Sequence, residues 1–370
     1  MEKEKAFIYT AGFLHRVNGK TAHGLIRHSG KYTIAGVIDE VSAGRKGGEV
    51  LEAGEVVDAG EVLDGHKRDI PVYGSLGEAL KSAGERPEYF ILGVAVPGGY
   101  LPAEMKAVIY EALREKMKVI NCLHELLCED PKAVEIAEQY GGEIIDLRKP
   151  KPFGELHFYS GDILTVKAPR VAFLGTDCAM GKRTSAVMTA EALEKRGIKT
   201  EVVYTGQTGR LQGFEYGLIL DATPNDFVSG ELERQVVLCD REKKPDLILI
   251  EGQSSLRNPS GPCGSEILVS CKAEGTVLQH APRRIFYESF DKYPWPIPSL
   301  AEEVRLVELY GSKVLAVSLY EEGMDRDGET ERWKSHYREE LGCPVAAPLS
   351  DGAEKLADLL QKFIEEQRER

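Results

Sequence analysis

No stretch of the chain approaches the roughly 20 consecutive apolar residues that a membrane-crossing helix requires. The first residues, Met1, Glu2, Lys3, Glu4 and Lys5, lack the apolar core of a signal peptide, so a cytoplasmic protein with no membrane partner is expected. Basic residues are in deficit: 47 Lys and Arg stand against 60 Asp and Glu, a net charge of −13. A nucleic-acid partner needs a cationic face, and this balance argues against one. The seven cysteines are scattered without a C-x-x-C pair, so neither a zinc site nor a disulfide framework is indicated. Internal repeats and low-complexity tracts are also missing. What remains is a chain of 370 residues, 42% hydrophobic, enough for about two or three domains with their own cores.

Short β-branched apolar runs alternate with amphipathic stretches of helical length, the pattern of parallel sheets covered by helices on both faces. The fold class is α/β. In the first half, strands are expected near 6–9, 32–38, 89–94, 119–121 and 143–146, with helices near 21–27, 76–83, 103–115 and 131–139 between them. This series reads as a Rossmann-like parallel sheet over residues 1–150, although G-x-G-x-x-G is absent after the first strand. Residues 151–169 hold prolines and glycines without helical period and read as a linker. A second series over 170–370 has strands near 170–174, 200–204, 246–250, 275–278 and 313–319, and a last helix near 353–367.

The strongest motif is VAFLGTDCAMGKRTSAVMTAEALEKRG, in which an apolar strand enters a glycine-containing loop, then Lys182, then a helix. Backbone N–H groups of such a loop and the helix dipole favour a phosphate, and a lysine reaches its outer oxygens. The candidate cofactor-binding residues are Gly175, Thr176, Asp177, Cys178, Ala179, Met180, Gly181, Lys182, Arg183 and Thr184. The loop departs from G-x-x-x-x-G-K-[ST]: five residues separate Gly175 from Gly181, and Arg183 takes the place of the magnesium-binding hydroxyl residue. GTDCAMGK resembles the extended loop of dethiobiotin synthetase, which makes the second domain P-loop NTPase-like. Downstream, PDLILIEGQ reads as a buried strand that carries Glu251 to the carboxyl edge of the sheet, where α/β ligands bind. There Glu251 could serve as a base, or hold magnesium through water if the ligand is ATP.

The two halves together resemble domain-of-unknown-function family 1611, whose members join a Rossmann-like domain to a P-loop domain. The resemblance is carried by GTDCAMGKRT, YTGQTG, the Asp226, Phe227, Gly230 and Glu231 set and IEGQSSL, and in the first half by KTAHGLIRHSG, IPVYGSLGEAL, GVAVPGGYLP, NCLHELLCEDP and LRKP. Characterised members look like D-glutamate N-acetyltransferases that use acetyl-CoA, so the resemblance implies that activity. Members often read GQGSL followed by a His-Pro pair, where this chain has Ser254 and Asn258.

Acyl transfer is compatible with the residues. CoA carries phosphates that a P-loop can hold, and a thioester needs no metal. Asp177, Glu251 and His280 are the candidate bases. An acidic amino-acid substrate calls for cations, and Arg257, Arg283 and Arg284 follow strands of the second domain. Gln207 and Thr208 lie in a glycine-flanked candidate substrate loop. Cys178 reads as shaping the loop, with an acyl-accepting role as the alternative. Two other functions stay open: a Mg-ATP-dependent ligase or phosphotransferase, and a nucleotide-binding sensor without turnover. A homo-oligomer is expected.

Overall fold

The computed structural model describes residues 3–53, 69–288, 290, 292–324 and 328–369. Two compact units emerge, residues 1–150 with 207–213, and residues 151–206 with 214–370.

The first unit alternates β1 (Glu4–Tyr9), α1 (Lys20–Arg27), β2 (Tyr32–Ile38), α2 (Gly47–Ala53), β3 (Val72–Tyr73), α3 (Leu76–Ser82), β4 (Tyr89–Leu92), α4 (Ala103–Arg114), β5 (Lys118–Asn121), α5 (Pro131–Tyr140) and β6 (Glu143–Asp146). Its sheet is wholly parallel in the order β3-β2-β1-β4-β5-β6, that of doubly wound dinucleotide-binding folds. Side chains alternate across the sheet, so Phe7, Tyr9, Phe90 and Leu92 pack into one core layer while Ala6, Ile8, Tyr89 and Ile91 pack into the other. Local chemistry sets the helix ends. In α5 the Asp130 carboxylate accepts from the N–H groups of Lys132 and Ala133, Pro131 occupies the first turn, and Gly141 (φ 81°) closes the helix.

The turn after β1 is sealed from within. The fully buried Asp39, just past β2, accepts from Thr10 Oγ1 at 2.7 Å and from the N–H groups of Leu14 (3.0 Å) and Ser42 (2.9 Å). In dinucleotide-binding relatives of this topology an acidic residue at the end of β2 faces the ribose. Here the carboxylate is spent on its own loop.

The second unit contains β7 (Arg170–Gly175), α6 (Lys182–Glu194), β8 (Thr200–Val203), α8 (Asn225–Lys243), β9 (Leu247–Glu251), α9 (Ser265–Ser270), β10 (Gly275–His280), α10 (Leu300–Leu309), β11 (Lys313–Leu319), α11 (Glu329–Leu341), β12 (Val345–Ala346), α12 (Pro348–Asp351) and α13 (Glu354–Arg368). The helix α7 (Gln207–Gln212) interrupts this order in sequence and groups with the first unit. The sheet is again parallel, in the order β12-β11-β10-β7-β9-β8, with a core layer on each face.

Two stretches are placed differently from the expectation, each for a local reason. Residues 151–169 are part of the second unit and not a free linker, because two buried glutamates of α8 bind their backbone. Glu231 accepts from His157 N–H (3.0 Å) and Lys151 Nζ (2.6 Å), and Glu233 accepts from the N–H groups of Ser160 (2.6 Å) and Ile163 (3.0 Å). Phe227 packs against Phe153 and Phe158, and a Cβ at Gly230 would lie 2.1 Å from the His157 carbonyl oxygen. Residues 207–213 leave the P-loop half because Gln212 Nε2 donates to the Gly24 (2.9 Å) and His28 (3.2 Å) carbonyls, while Gly30 N–H donates to the Gln212 carbonyl.

Candidate functional site

Strand β7 ends at Gly175 with β10 on one side and β9 on the other, so His280 and Glu251 arrive at the same carboxyl edge as the loop that follows. In that loop Ala179 (φ 48°) and Gly181 (φ 84°) are left-handed, and Gly181 caps α6. Backbone of this kind, leading into a helix N-terminus, builds anion-binding concavities. A Cβ at Gly175 would lie 3.0 Å from Lys182 Cδ and 3.2 Å from Met180 Sδ, so glycine lets the lysine fold across the strand end. The buried Lys182 ammonium donates to the carbonyls of Asp177 (2.6 Å) and Ser254 (2.9 Å). Burial lowers its proton affinity, and a desolvated ammonium gains most from an anion brought beside it.

Arg183 Nη1 lies 3.2 Å from Glu251 Oε1, and Glu251 Oε2 accepts from Thr205 N–H at 3.1 Å. Glu251 is buried, with a guanidinium and an amide already on its two oxygens. The place of the metal-binding hydroxyl is therefore filled by a cation that neutralises the nearby carboxylate, and Thr184 stands half-buried one residue further on. This donor set does not fit magnesium. Among the described residues there is no group of three or more His, Cys, Asp or Glu suited to a metal ion.

The expected bases separate by surroundings. The fully buried Asp177 accepts from Asn258 Nδ2 (2.9 Å), Arg284 Nη1 (3.1 Å) and Glu288 N–H (2.8 Å). Three donors on its two oxygens make it a hub that fixes the loop. His280 Nδ1 sits 2.9 Å from the Thr176 hydroxyl and its Nε2 3.0 Å from the Tyr337 hydroxyl. Burial, aided by Arg284, pushes this imidazole down to about 4, so it is neutral at pH 7 and meets the Thr176 hydroxyl as a hydrogen-bond partner. Cys178 Sγ stands 3.5 Å from Ser254 Oγ.

Arg283 is held by Glu329 through two bonds of 2.8 and 2.7 Å. Arg284 spans Asp177, the Cys178 carbonyl (2.6 Å) and Glu322 (2.6 Å). Arg257 Nε donates to Glu303 at 2.5 Å, while its enclosed Nη2 makes no hydrogen bond and lies 3.9 Å from Glu302 Oε2. The expected substrate residues Gln207 and Thr208 belong to the first unit, where Gln207 accepts from Arg148 (3.1 Å) and Thr208 meets Thr21 (3.4 Å).

Sequence reasoning missed Tyr287, Glu303 and Tyr337, which no motif marks. Asn258, singled out only as a departure, is the buried clamp on Asp177. Ser254 keeps φ at 46°, the left-handed backbone for which glycine is the ordinary choice.

A parallel sheet whose central strand feeds a lysine-bearing loop and a helix defines a P-loop α/β protein, here joined to a Rossmann-like unit. Family models agree: the DUF1611_N Rossmann-like domain of unknown function matches residues 53–150, and the DUF1611_C P-loop domain of unknown function matches residues 157–357. The chain belongs to the DUF1611 family. It is similar to a D-glutamate N-acetyltransferase of Tritonibacter scottomollicae, 30% identical over 291 residues that cover 76% of this chain and 83% of that one. A second D-glutamate N-acetyltransferase, from Pseudoalteromonas sp, is 26% identical over 278 residues, 72% of this chain and 79% of the relative. The crystal structure of a DUF1611 family protein from Anabaena variabilis superimposes with a TM-score of 0.83 at 27% identity, covering 97% of this chain and all of that one.

Proposed function

We propose that the protein is an acetyl-CoA-dependent N-acetyltransferase acting on an acidic amino acid, with D-glutamate the first candidate. The relatives' names support the transferase class. The observation that carries the cofactor assignment is the Arg183–Glu251 pair at 3.2 Å. It stands where a magnesium-nucleotide enzyme needs a hydroxyl and a free carboxylate, and it favours a phosphate-bearing ligand that comes without a metal.

The loop fits such a ligand, because the desolvated Lys182 ammonium and the left-handed turn at Ala179 and Gly181 are an anion site in both charge and backbone. Lys182 and the loop amides would hold the CoA phosphates. The bound group supplies a thioester-activated acetyl. Asp177, fixed by Asn258, Arg284 and Glu288, keeps the loop in register, and Arg183 adds positive charge beside it. Neutral His280 orients the Thr176 hydroxyl at the strand edge.

The test is release of free thiol from acetyl-CoA in the presence of EDTA, with D- and L-forms of glutamate and aspartate as acceptors. Sustained release with D-glutamate is expected. Magnesium-dependent phosphate release from ATP without thiol release would replace this reading with the ligase or phosphotransferase one.

A further inference from the structure

Beside the phosphate loop, four polar atoms of the second unit are enclosed with hydrogen-bonding capacity to spare: Ser255 Oγ and Tyr287 Oη, which face each other, Arg257 Nη2, paired only at 3.9 Å with Glu302 Oε2, and Glu303 Oε2. Ser255, Tyr287 and Glu303 are only 2, 2 and 1% exposed. The four belong to one place. Arg257 Nε bonds Glu303 Oε1 at 2.5 Å, and the Tyr287 phenol is surrounded by Glu303, the Ser255 hydroxyl, Arg257 and Asp177. Chain neighbours tie this cluster to the loop. The carbonyl of Ser254 accepts from Lys182 at 2.9 Å, and the N–H of Glu288 donates to Asp177 at 2.8 Å.

Each such atom has given up water for at most one weak contact, which folded chains rarely tolerate. Four together, next to an anion-binding loop, call for a polar ligand that completes them. Their chemistry specifies the ligand: one guanidinium N–H and two hydroxyls are donors for a carboxylate, and one carboxylate oxygen is an acceptor for an ammonium. That is the complement of a zwitterion. Of the three arginines after the strands, Arg257 alone has an enclosed nitrogen in this state.

We propose that these four atoms are the α-amino-acid subsite. Arg257 Nη2 and the hydroxyls of Ser255 and Tyr287 take the α-carboxylate, and Glu303 Oε2 takes the α-ammonium and accepts one of its protons. This inference rests on the amino-acid acetyltransferase reading. Burial raises the Glu303 carboxyl against the opposing pull of Arg257, the direction that suits a base for an ammonium. The proton lost to Glu303 leaves a neutral amine. Its nitrogen forms the amide bond as the thioester C–S bond breaks, its second proton ends on the departing thiolate, and Glu303 returns its proton to solvent.

The test uses the full chain with Tyr287→Phe, Ser255→Ala and Glu303→Gln, thiol release as the assay and melting temperature as the control. Tyr287→Phe and Ser255→Ala should raise the KM for the amino acid about tenfold and leave the KM for acetyl-CoA unchanged. Their melting temperatures should change little, because each removes a buried hydroxyl whose hydrogen-bonding capacity is only partly used. Glu303→Gln should lower kcat about a hundredfold and flatten the acidic limb of the pH profile. Lower melting temperatures with an unchanged amino-acid KM and pH profile would mean that the cluster holds only enclosed water, and would overturn the subsite. If the wild-type chain acetylates no amino acid, the acetyltransferase reading fails separately, and calorimetric titration with D-glutamate still decides the subsite. Binding that Tyr287→Phe weakens would support it, and no binding to the wild-type chain would overturn it.

Discussion

After β1 the chain turns through Ala11 (φ 47°) and Gly12 (φ 77°); after β7 it turns through Ala179 (φ 48°) and Gly181 (φ 84°). Both turns follow a central strand of a parallel sheet, and both lie at the carboxyl edge where such sheets bind ligands. In the first unit Asp39 satisfies the turn with three bonds from Thr10, Leu14 and Ser42. In the second, the corresponding place is filled by a lysine that has lost water and bonds only carbonyl oxygens. Topology offers the same edge twice. The sign of the charge enclosed there separates a sealed turn from the candidate anion site.

The comparison is broken most strongly by removing the seal. Asp39→Ala leaves the buried N–H groups of Leu14 and Ser42 without an acceptor and the Thr10 hydroxyl with only its longer bond to Ile38, and at about 1–3 kcal/mol for each lost acceptor the first unit should lose about 3 kcal/mol or more. Urea unfolding should record this loss, with CoA affinity unaltered.

Acid acts on both units through one buried neutral histidine in each. Burial pushes His280 down to about 4, and burial together with Arg27 pushes His23 down to about 3. Between the ordinary histidine value near 6.5 and these values, the unfolded chain binds a proton that the folded chain does not. Stability therefore falls as the pH falls through that window, by about 3 kcal/mol for His280 at its lower end. His280→Gln should flatten this dependence for the second unit, as followed by thermal unfolding at stepped pH.

Removing the lysine sharpens the contrast at the other turn. Lys182→Ala should weaken CoA binding about 10- to 100-fold, the loss of a charge-assisted bond. Its melting temperature should hold or rise, since a buried ammonium is costly to desolvate. A stable chain that binds CoA as before would place the ligand elsewhere. The smallest effect is expected at Ser254→Gly, which relieves a left-handed serine (φ 46°) and should stabilise the chain by about 1 kcal/mol.

Much of this was legible in the sequence, for reasons that can be stated. The strands 32–38, 143–146 and 313–319 coincide with β2, β6 and β11, because β-branched and apolar residues gathered between helical stretches need no long-range knowledge to be seen. The loop was legible because glycine, lysine and the helix start are contiguous. The two-residue strands β3 and β12 carry too little pattern to detect. The long helix α8 was hidden because it buries Glu231 and Glu233 to bind residues 157–163, so its polar and apolar faces do not separate cleanly. Arg257 was marked, but its partner Glu303 is 46 residues away and Tyr287 lies 30 residues away, and only the folded chain brings them together.

The central claim is that the second unit's loop binds a phosphate-bearing ligand without a metal, with Arg183 in the metal's place. The most direct measurement is calorimetric titration of the chain with CoA in EDTA, and with ATP with and without magnesium. The account predicts CoA binding that EDTA leaves unchanged and that Arg183→Ser weakens about tenfold. Binding of ATP only with magnesium, and none of CoA, would contradict it.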